Sequence, residues 1–402
     1  MSTRSTFDTE RVVVDPQRPD PTVMARAGAV IRRGGLVAFP TETVYGLGAN
    51  ALDAAAVAGI FRAKGRPAHD PIIVHVADAG ALPALVTAVP EVARRLTAAF
   101  WPGALTLVLP RTDRVPDVVT AGGPTVAVRC PDHPLAQALI RAAGTPIAAP
   151  SANRFSHTSP TTAQHVWDDL AGRIDMLLDG GPTPIGVEST VLDLSGPTPT
   201  LLRPGGVSLE ALRAVVGTVA TRRAEAPTSH LPSPGMLDRH YAPRATLHLF
   251  AGDPHARLVA MQRAVAEALG RGPPRRRRWL RTSADAFPPE AVVASLEALT
   301  TAEVMARRLY AAMRALDAQD VELIFAHEVP ATGLGLAIND RLAPRRTLCT
   351  KFKFHPIHGK ESEMADQWCC DMWCSSSSRT APRPGMCSGS RRRSAPCRRR
   401  ST

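Results

Sequence analysis

Two apolar patterns alternate along the chain. Short runs rich in Val, Ile and Leu, such as LVAF at 36–39, IIVHV at 72–76, LTLVL at 105–109 and TVAVR at 125–129, have the length and composition of buried strands. Between them lie longer stretches with an apolar face recurring every three or four residues, such as DAAAVAGIFRAK at 53–64, EVARRLTAAF at 91–100 and LAQALIRAA at 135–143, which predict helices. PIAAPSAN, VLDLS, TLLRPGG and the helical SLEALRAVVG continue the series to Gly217. Strands alternating with helices predict an α/β sheet domain.

The pattern then lapses. Residues 218–244 hold Arg222, Arg223, Pro227, Pro232, Pro234, Gly235 and Pro243 with no periodic apolar face, which predicts a linker. A second, smaller α/β unit is expected over 245–344: a strand in ATLHLFAG, a helix ending at Gly270, a strand in WLRTS, a helix in AEVMARRLYAAMRALDAQ and a strand in VELIFAHEV. With 1–19 as an N-terminal extension and 20–217 as the main domain, residues 345–402 form an aberrant tail, expected to be disordered.

Composition changes the picture chiefly by isolating that tail. The chain has 402 residues and a net charge of +12, but 347–402 carry three Lys and eight Arg against four acids, which leaves only +5 for residues 1–346. Overall charge therefore does not argue for nucleic-acid binding by the body. Cys130 is alone in residues 1–346, whereas six cysteines crowd the tail. A reduced, cytoplasmic setting is expected, with no signal peptide, membrane span or protein-held metal. Walker, Rossmann-glycine, HExxH and GxSxG motifs are missing, which disfavours the common nucleotide-binding and hydrolase folds.

Candidate chemistry gathers at strand ends. Lys64 is the only lysine in residues 1–350, and in KGRP it stands two residues from Arg66, with Gly65 and Pro67 closing the helix. An ammonium beside a guanidinium suits a polyphosphate, although a helix-end turn answering the dipole reads the same way. PTETVYGLG (40–48) sets Thr41, Thr43 and Tyr45 at a strand end, with two glycines that permit close backbone approach, or else an ordinary turn with Tyr45 as packing. PSANRFSHTSP (150–160) offers Ser151, Asn153 and Ser159 as short donors and acceptors, and GVESTV and LLRPGG add Ser189 and Arg203. His75 sits on a buried-looking strand, where a satisfied core histidine is the commoner case.

Taken in order, PTETVYGLG, KGRP, PIIVHV, WPGALTLVL, VAVRCPDHP, APSAN, SPT and GVESTV closely resemble the threonylcarbamoyl-AMP synthase family, also called YrdC-like, across residues 20 to 217. SPGMLDRHYAP (233–243) and GLGLAINDRL (333–342) resemble the linker and C-terminal end of its longer two-domain members. The resemblance implies an open, twisted α/β sheet with a concave basic pocket and a second, Rossmann-like domain. The implied reaction joins L-threonine, bicarbonate and ATP into threonylcarbamoyl-AMP and pyrophosphate, making the chain a nucleotidyltransferase that serves modification of the tRNA adenosine next to the anticodon. It assigns catalysis to Lys64 and Arg66, and ATP binding to these two with Asp70, Thr125, Ser151, Asn153, Ser159, Arg203 and Tyr241. It places Thr43, His75, Arg129, Ala149 and Ser189 around threonine.

Magnesium is implied through the ATP phosphates, together with a downstream tRNA threonylcarbamoyl transferase, weak contact with tRNA or other RNA, and no membrane. The linker, through Tyr241, is implied to close over the nucleotide. In two places the chain departs from the family pattern: Asp70 stands where Asn is expected and Ser156 where glycine is usual. Two rival readings stay open on the residues alone, an RNA-binding module without chemistry and a carbamoylating or regulatory relative of the same fold.

Overall fold

The structure is a computed structural model that describes residues 8–67, 69–221, 243–270, 278–281, 292–295 and 301–343. Most of the linker, with Tyr241, and the tail expected to be disordered lie outside the described residues.

The first eleven strands are β1 (Glu10–Val13), β2 (Val37–Phe39), β3 (Gly46–Asn50), β4 (Val74–His75), β5 (Leu105–Pro110), β6 (Thr125–Arg129), β7 (Ile147–Ala148), β8 (Met176–Asp179), β9 (Thr190–Asp193), β10 (Thr200–Arg203) and β11 (Ala220–Thr221). They form one open mixed sheet in the order β1-β8-β2-β3-β7-β4-β6-β5-β9-β10-β11. Helices α1 (Pro21–Arg32), α2 (Ala54–Lys64), α3 (Glu91–Phe100), α4 (Asp117–Thr120), α5 (Pro134–Ala143), α6 (Ala163–Leu170) and α7 (Leu209–Val216) accompany it. The sheet begins ahead of residue 20, because β1 pairs in parallel with β8, and it reaches into the expected linker through β11.

Local chemistry explains the element ends. Helix α1 starts where the Asp20 carboxylate accepts from the backbone N–H groups of Thr22 and Val23, with Pro21 in the first turn. Its buried stripe of Met24, Ala27 and Ile31 joins Leu135, Leu139 and Ile140 of α5 in one apolar cluster over the sheet. Truncating such a fully buried leucine to alanine costs about 2–5 kcal/mol. Helix α2 stops at Gly65, whose φ of 65° is the left-handed C-cap predicted from KGRP.

One local expectation is corrected in part. Of the two glycines of PTETVYGLG, Gly46 does line a cleft at the strand ends, whereas Gly48 serves to let strands close on each other. Gly48 lies in β3, antiparallel to β2, and a Cβ there would come within 2.8 Å of both Ile147 and Phe39 side chains.

The second unit holds β12 (Thr246–Phe250), α8 (Pro254–Gly270), β13 (Arg278–Arg281), β14 (Val292–Ser295), α9 (Ala302–Asp317), β15 (Leu323–His327) and α10 (Gly335–Leu342). Its strands pair in parallel, β12 with β15 and β13 with β14. Helix α9 turns its apolar face of Ala306, Leu309, Tyr310 and Met313 toward the main domain, where Val44 and Val187 complete the same cluster. No helix among the described residues is long and apolar enough to cross a membrane.

Candidate active site

The β2–β3 connection folds back on itself. Thr41 Oγ1 donates to Val44 O at 2.7 Å and lies 2.8 Å from Thr43 Oγ1, so both hydroxyls are held at the strand end. Tyr45 donates its phenol proton to Gly181 O at 2.6 Å and is fully buried, and this burial pushes its pKa upward. It is a packing residue in its side chain, one of the two readings open from sequence.

Arg129, at the end of β6, stands 2.6 Å from Glu42, with the two side chains 4% and 7% exposed. Its Nε donates to Gly103 O at 3.3 Å. Beside it in register on β4 is His75, whose pKa is pushed down to about 3 by burial first and then by the Arg129 charge. The imidazole is therefore neutral at pH 7. Its Nδ1 has no hydrogen-bond partner among the described residues, while backbone hydrogen bonds with Ile73 and Ile147 also act on the buried ring, so the core histidine is only partly satisfied.

The Lys64 and Arg66 pair is divided by the turn at Gly65. Arg66 donates to Pro71 O at 2.7 Å and pairs with buried Asp70 at 2.9 Å. Asp70 thus meets a cation of its own wall. Lys64 is buried, donating to Ser151 O at 2.5 Å and to Asn153 O. Burial first, then the Arg66 charge, pushes its ammonium well below the usual range. Lys64 braces the PSAN loop from beneath, and Ser151 closes that loop by donating to Asn153 Oδ1 at 2.5 Å. Farther along, Ser156 sits at φ 71°, a left-handed conformation that explains why glycine would be easier there.

At the opposite wall Arg203 donates to Ser189 O at 2.9 Å and to Ser189 Oγ at 3.2 Å, and Thr106 Oγ1 lies 2.8 Å from that hydroxyl. Next to Ser189 is Glu188, fully enclosed by donors. Ser159 donates to its Oε1 at 2.6 Å, Tyr310 from α9 donates at 2.9 Å, and Arg341 Nε from α10 donates to Oε2 at 2.8 Å. Burial alone would raise this carboxyl, but Arg341, then Arg203 and the Ser159 hydrogen bond, hold it down at about 2.

A single cleft is lined by Thr43, Arg66, His75, Arg129, Ala149, Ser151, Ser189 and Arg203. These come from strand ends and loops up to 160 residues apart in sequence. Lys64, Asp70, Asn153 and Ser159 sit behind the lining, bonded to it or to its loops. Thr125 is not brought there: it begins β6, paired with Pro110, whereas Arg129 ends the strand four residues on, about 13 Å away at ordinary strand rise.

Four residues at the cleft escaped the sequence reading: Glu42, Glu188, Tyr310 and Arg341. The two acids lay inside the quoted motifs, and a carboxylate flanked by hydroxyls was the available signal. Each anchors an arginine across the fold. Of the expected cations, Arg66 and Arg129 are matched by carboxylates, while Lys64 and Arg203 donate to the Ser151, Asn153 and Ser189 carbonyls. No group of three His, Cys, Asp or Glu placed to hold a metal occurs among the described residues.

Comparison with known proteins agrees with this layout. Residues 29–205 match the family model of Sua5, YciO and YrdC, described as telomere recombination, and residues 207–344 match the threonylcarbamoyl-AMP synthase C-terminal domain. The threonylcarbamoyl-AMP synthase of Bacillus subtilis is 48% identical over 326 residues, covering 80% of this chain and 92% of the relative. That of Pyrococcus abyssi is 45% identical over 318 residues, covering 79% and 92%. The crystal structure of P. abyssi Sua5 complexed with L-threonine superposes with a TM-score of 0.78 at 43% identity, covering 83% of this chain and 96% of that one. Both matched models adjoin along one chain, the relatives are matched nearly end to end, and so this chain belongs to the threonylcarbamoyl-AMP synthase family in its two-domain form.

Proposed function

We infer that the chain is a threonylcarbamoyl-AMP synthase, an enzyme that joins L-threonine, bicarbonate and ATP, and that it acts as a nucleotidyltransferase for tRNA modification. The observation that carries this reading is the convergence of Arg129, His75, Thr43 and Ser189 with Arg66, Ser151 and Arg203 on one cleft. Arg129 offers a planar fork to the threonine carboxylate, which would take the place of Glu42 on the guanidinium. Neutral His75 offers a ring nitrogen to the amino acid without adding charge.

The free amine of threonine and bicarbonate give a carbamate and water. A carbamate oxygen then bonds to the α-phosphorus, the bond from that phosphorus to the bridging oxygen breaks, and pyrophosphate leaves. The protein's part is alignment, exclusion of water from the labile carbamate and neutralisation of the phosphates. Arg66 and Arg203 supply charge at the phosphate end, and Lys64, assigned to the phosphates by the family resemblance, holds the PSAN loop beside them. Magnesium belongs to the nucleotide as its complex, because the carboxylates Asp70 and Glu188 are already engaged by arginines. Tyr241 stays with ATP as a family-implied contact, whereas Thr125 is set aside because it stands at the far end of β6, and the product passes to a tRNA threonylcarbamoyl transferase.

The test is pyrophosphate release from magnesium–ATP by the purified full chain, with and without L-threonine and bicarbonate. Release that needs both, with threonylcarbamoyl-AMP identified by mass spectrometry, is the expected result. Folded protein that binds ATP but shows no stimulation by either would remove the synthase reading in favour of RNA binding without chemistry.

A further inference from the structure

Glu188 is a carboxylate built into the wall of a cleft otherwise suited to anions. Among the described residues of the main domain its carboxylate accepts only from the Ser159 hydroxyl and feels the charge of Arg203, which donates to Ser189. Its closest cation and its phenol partner both come from the second unit: Arg341 on α10 and Tyr310 on α9. Arg341 is itself buried and also donates to Pro204 O at 3.2 Å, immediately beside Arg203.

This ion pair is one of several contacts between the two units. Helix α9 already docks through the apolar cluster around Leu309 and Met313, through Arg307 Nε on Pro184 O at 2.8 Å, and through Arg314 on Asp169 at 2.7 Å. A buried ion pair is weak evidence for stability, since its desolvation offsets its attraction. Where it stands matters more: an uncompensated carboxylate there would repel a polyphosphate and draw Arg203 away from it.

We propose that Arg341, seconded by Tyr310, is a positioning residue for ATP: the second domain neutralises Glu188 and thereby makes the nucleotide end of the cleft able to accept a polyanion. The inference rests on the assignment of Ser159 and Arg203 to the nucleotide. It gives residues 301–343 a definite part in the reaction, one exerted through charge and not through contact with substrate. A chain with the second unit displaced presents a cleft whose threonine end is intact and whose ATP end holds a carboxylate that Arg341 no longer pairs.

The experiment is calorimetric titration of the full chain with magnesium–ATP, and separately with L-threonine, for the wild type, Arg341→Met, Glu188→Gln and the double variant, with thermal unfolding of each. Wild-type chain that fails to bind ATP would count against the functional reading, leaving the role of Arg341 moot. With wild-type binding in place, Arg341→Met is expected to weaken ATP roughly 5- to 100-fold, in the range of ordinary inter-site couplings. It should raise the KM for ATP more than it lowers kcat and should hardly move threonine affinity. Adding Glu188→Gln to Arg341→Met restores most of the lost affinity, whereas Glu188→Gln alone tightens ATP. The idea is overturned if the double variant binds ATP as weakly as Arg341→Met, or if Glu188→Gln alone weakens it. Should Arg341→Met not fold, the single Glu188→Gln variant still decides the sign.

Discussion

At the end of the cleft proposed for threonine, Arg129, Glu42, His75 and Thr43 all come from the main sheet and its hairpin, and Arg129 and His75 are neighbours in register. At the nucleotide end, Glu188 and Ser159 of the same domain are completed by Tyr310 and Arg341, which lie 122 and 153 residues from Glu188 in sequence. Both ends bury a carboxylate against an arginine. In the first the pair is internal to one sheet and forms whenever that sheet forms, while in the second it forms only when two units dock. Folding of the main domain and readiness of the whole cleft are thus separable properties.

The largest expected effect strikes the self-contained end. Replacing Arg129 by Met strands buried Glu42 and should cost about 3–5 kcal/mol of folding stability in urea titrations, besides abolishing threonine-dependent pyrophosphate release. Adding Glu42→Gln should return most of the stability and none of the activity. If stability does not recover, the cost came from packing, and the pairing account of this end is wrong.

Next in size is a substitution aimed only at the docking. Gly186 has φ 84°, and a Cβ there would lie 2.4 Å from Arg307 Cα in α9. Gly186→Ala should cost about 2–4 kcal/mol through overpacking and left-handed strain, and should weaken ATP binding while leaving threonine binding in place. Equal loss of both ligands would erase the contrast between the two ends.

Acid separates the ends by their pH windows. His75 is neutral in the folded chain, with a pKa near 3 set by burial, so between about 3 and 6.5 the unfolded chain takes up a proton that the folded chain refuses. Its contribution is present above pH 6.5 and is lost as pH falls toward 3, by about 2 kcal/mol on going to pH 5. His165, held down to about 4 by burial and by Arg314, acts in the same direction. Glu188, held at about 2, keeps its contribution above its ordinary value of 4.5 and loses it progressively as pH falls from there through 2. Urea titrations at pH 7 and 5 should therefore report histidines and not Glu188, and His75→Asn should flatten that interval. No change in slope would mean that His75 is not held neutral.

The smallest effect is expected in the loop shared by both ends. Ser156→Gly removes left-handed strain but adds chain entropy to the unfolded state, for a net gain of about 0.5 kcal/mol in thermal unfolding. A loss would mean that the serine's conformation is supported by contacts and carries no strain.

Much of this architecture could be read along the chain. The helix ending at Gly65, the strands in IIVHV and TVAVRC, and the parallel second unit follow from apolar period and caps, because those signals act between residues a few positions apart. Most of the expected lining residues do meet in one cleft, since they sit at strand ends that a sheet must bring together. Lys64 marks where such reading stops. Its solitary ammonium pointed to phosphate, yet in the fold it is buried on the carbonyls of Ser151 and Asn153, a use of charge that depends on a loop 87 and 89 residues away.

By itself the sequence determined the α/β elements, the family and most of the residues that line the cleft, because each is written in short-range pattern or contiguous motif. The tertiary structure alone decided the eleven-strand order, the hairpin packing of Gly48, and the partners of every buried charge in the cleft. Burying a charge is costly unless an opposite one is close, and closeness across 153 residues is a property of the packed chain.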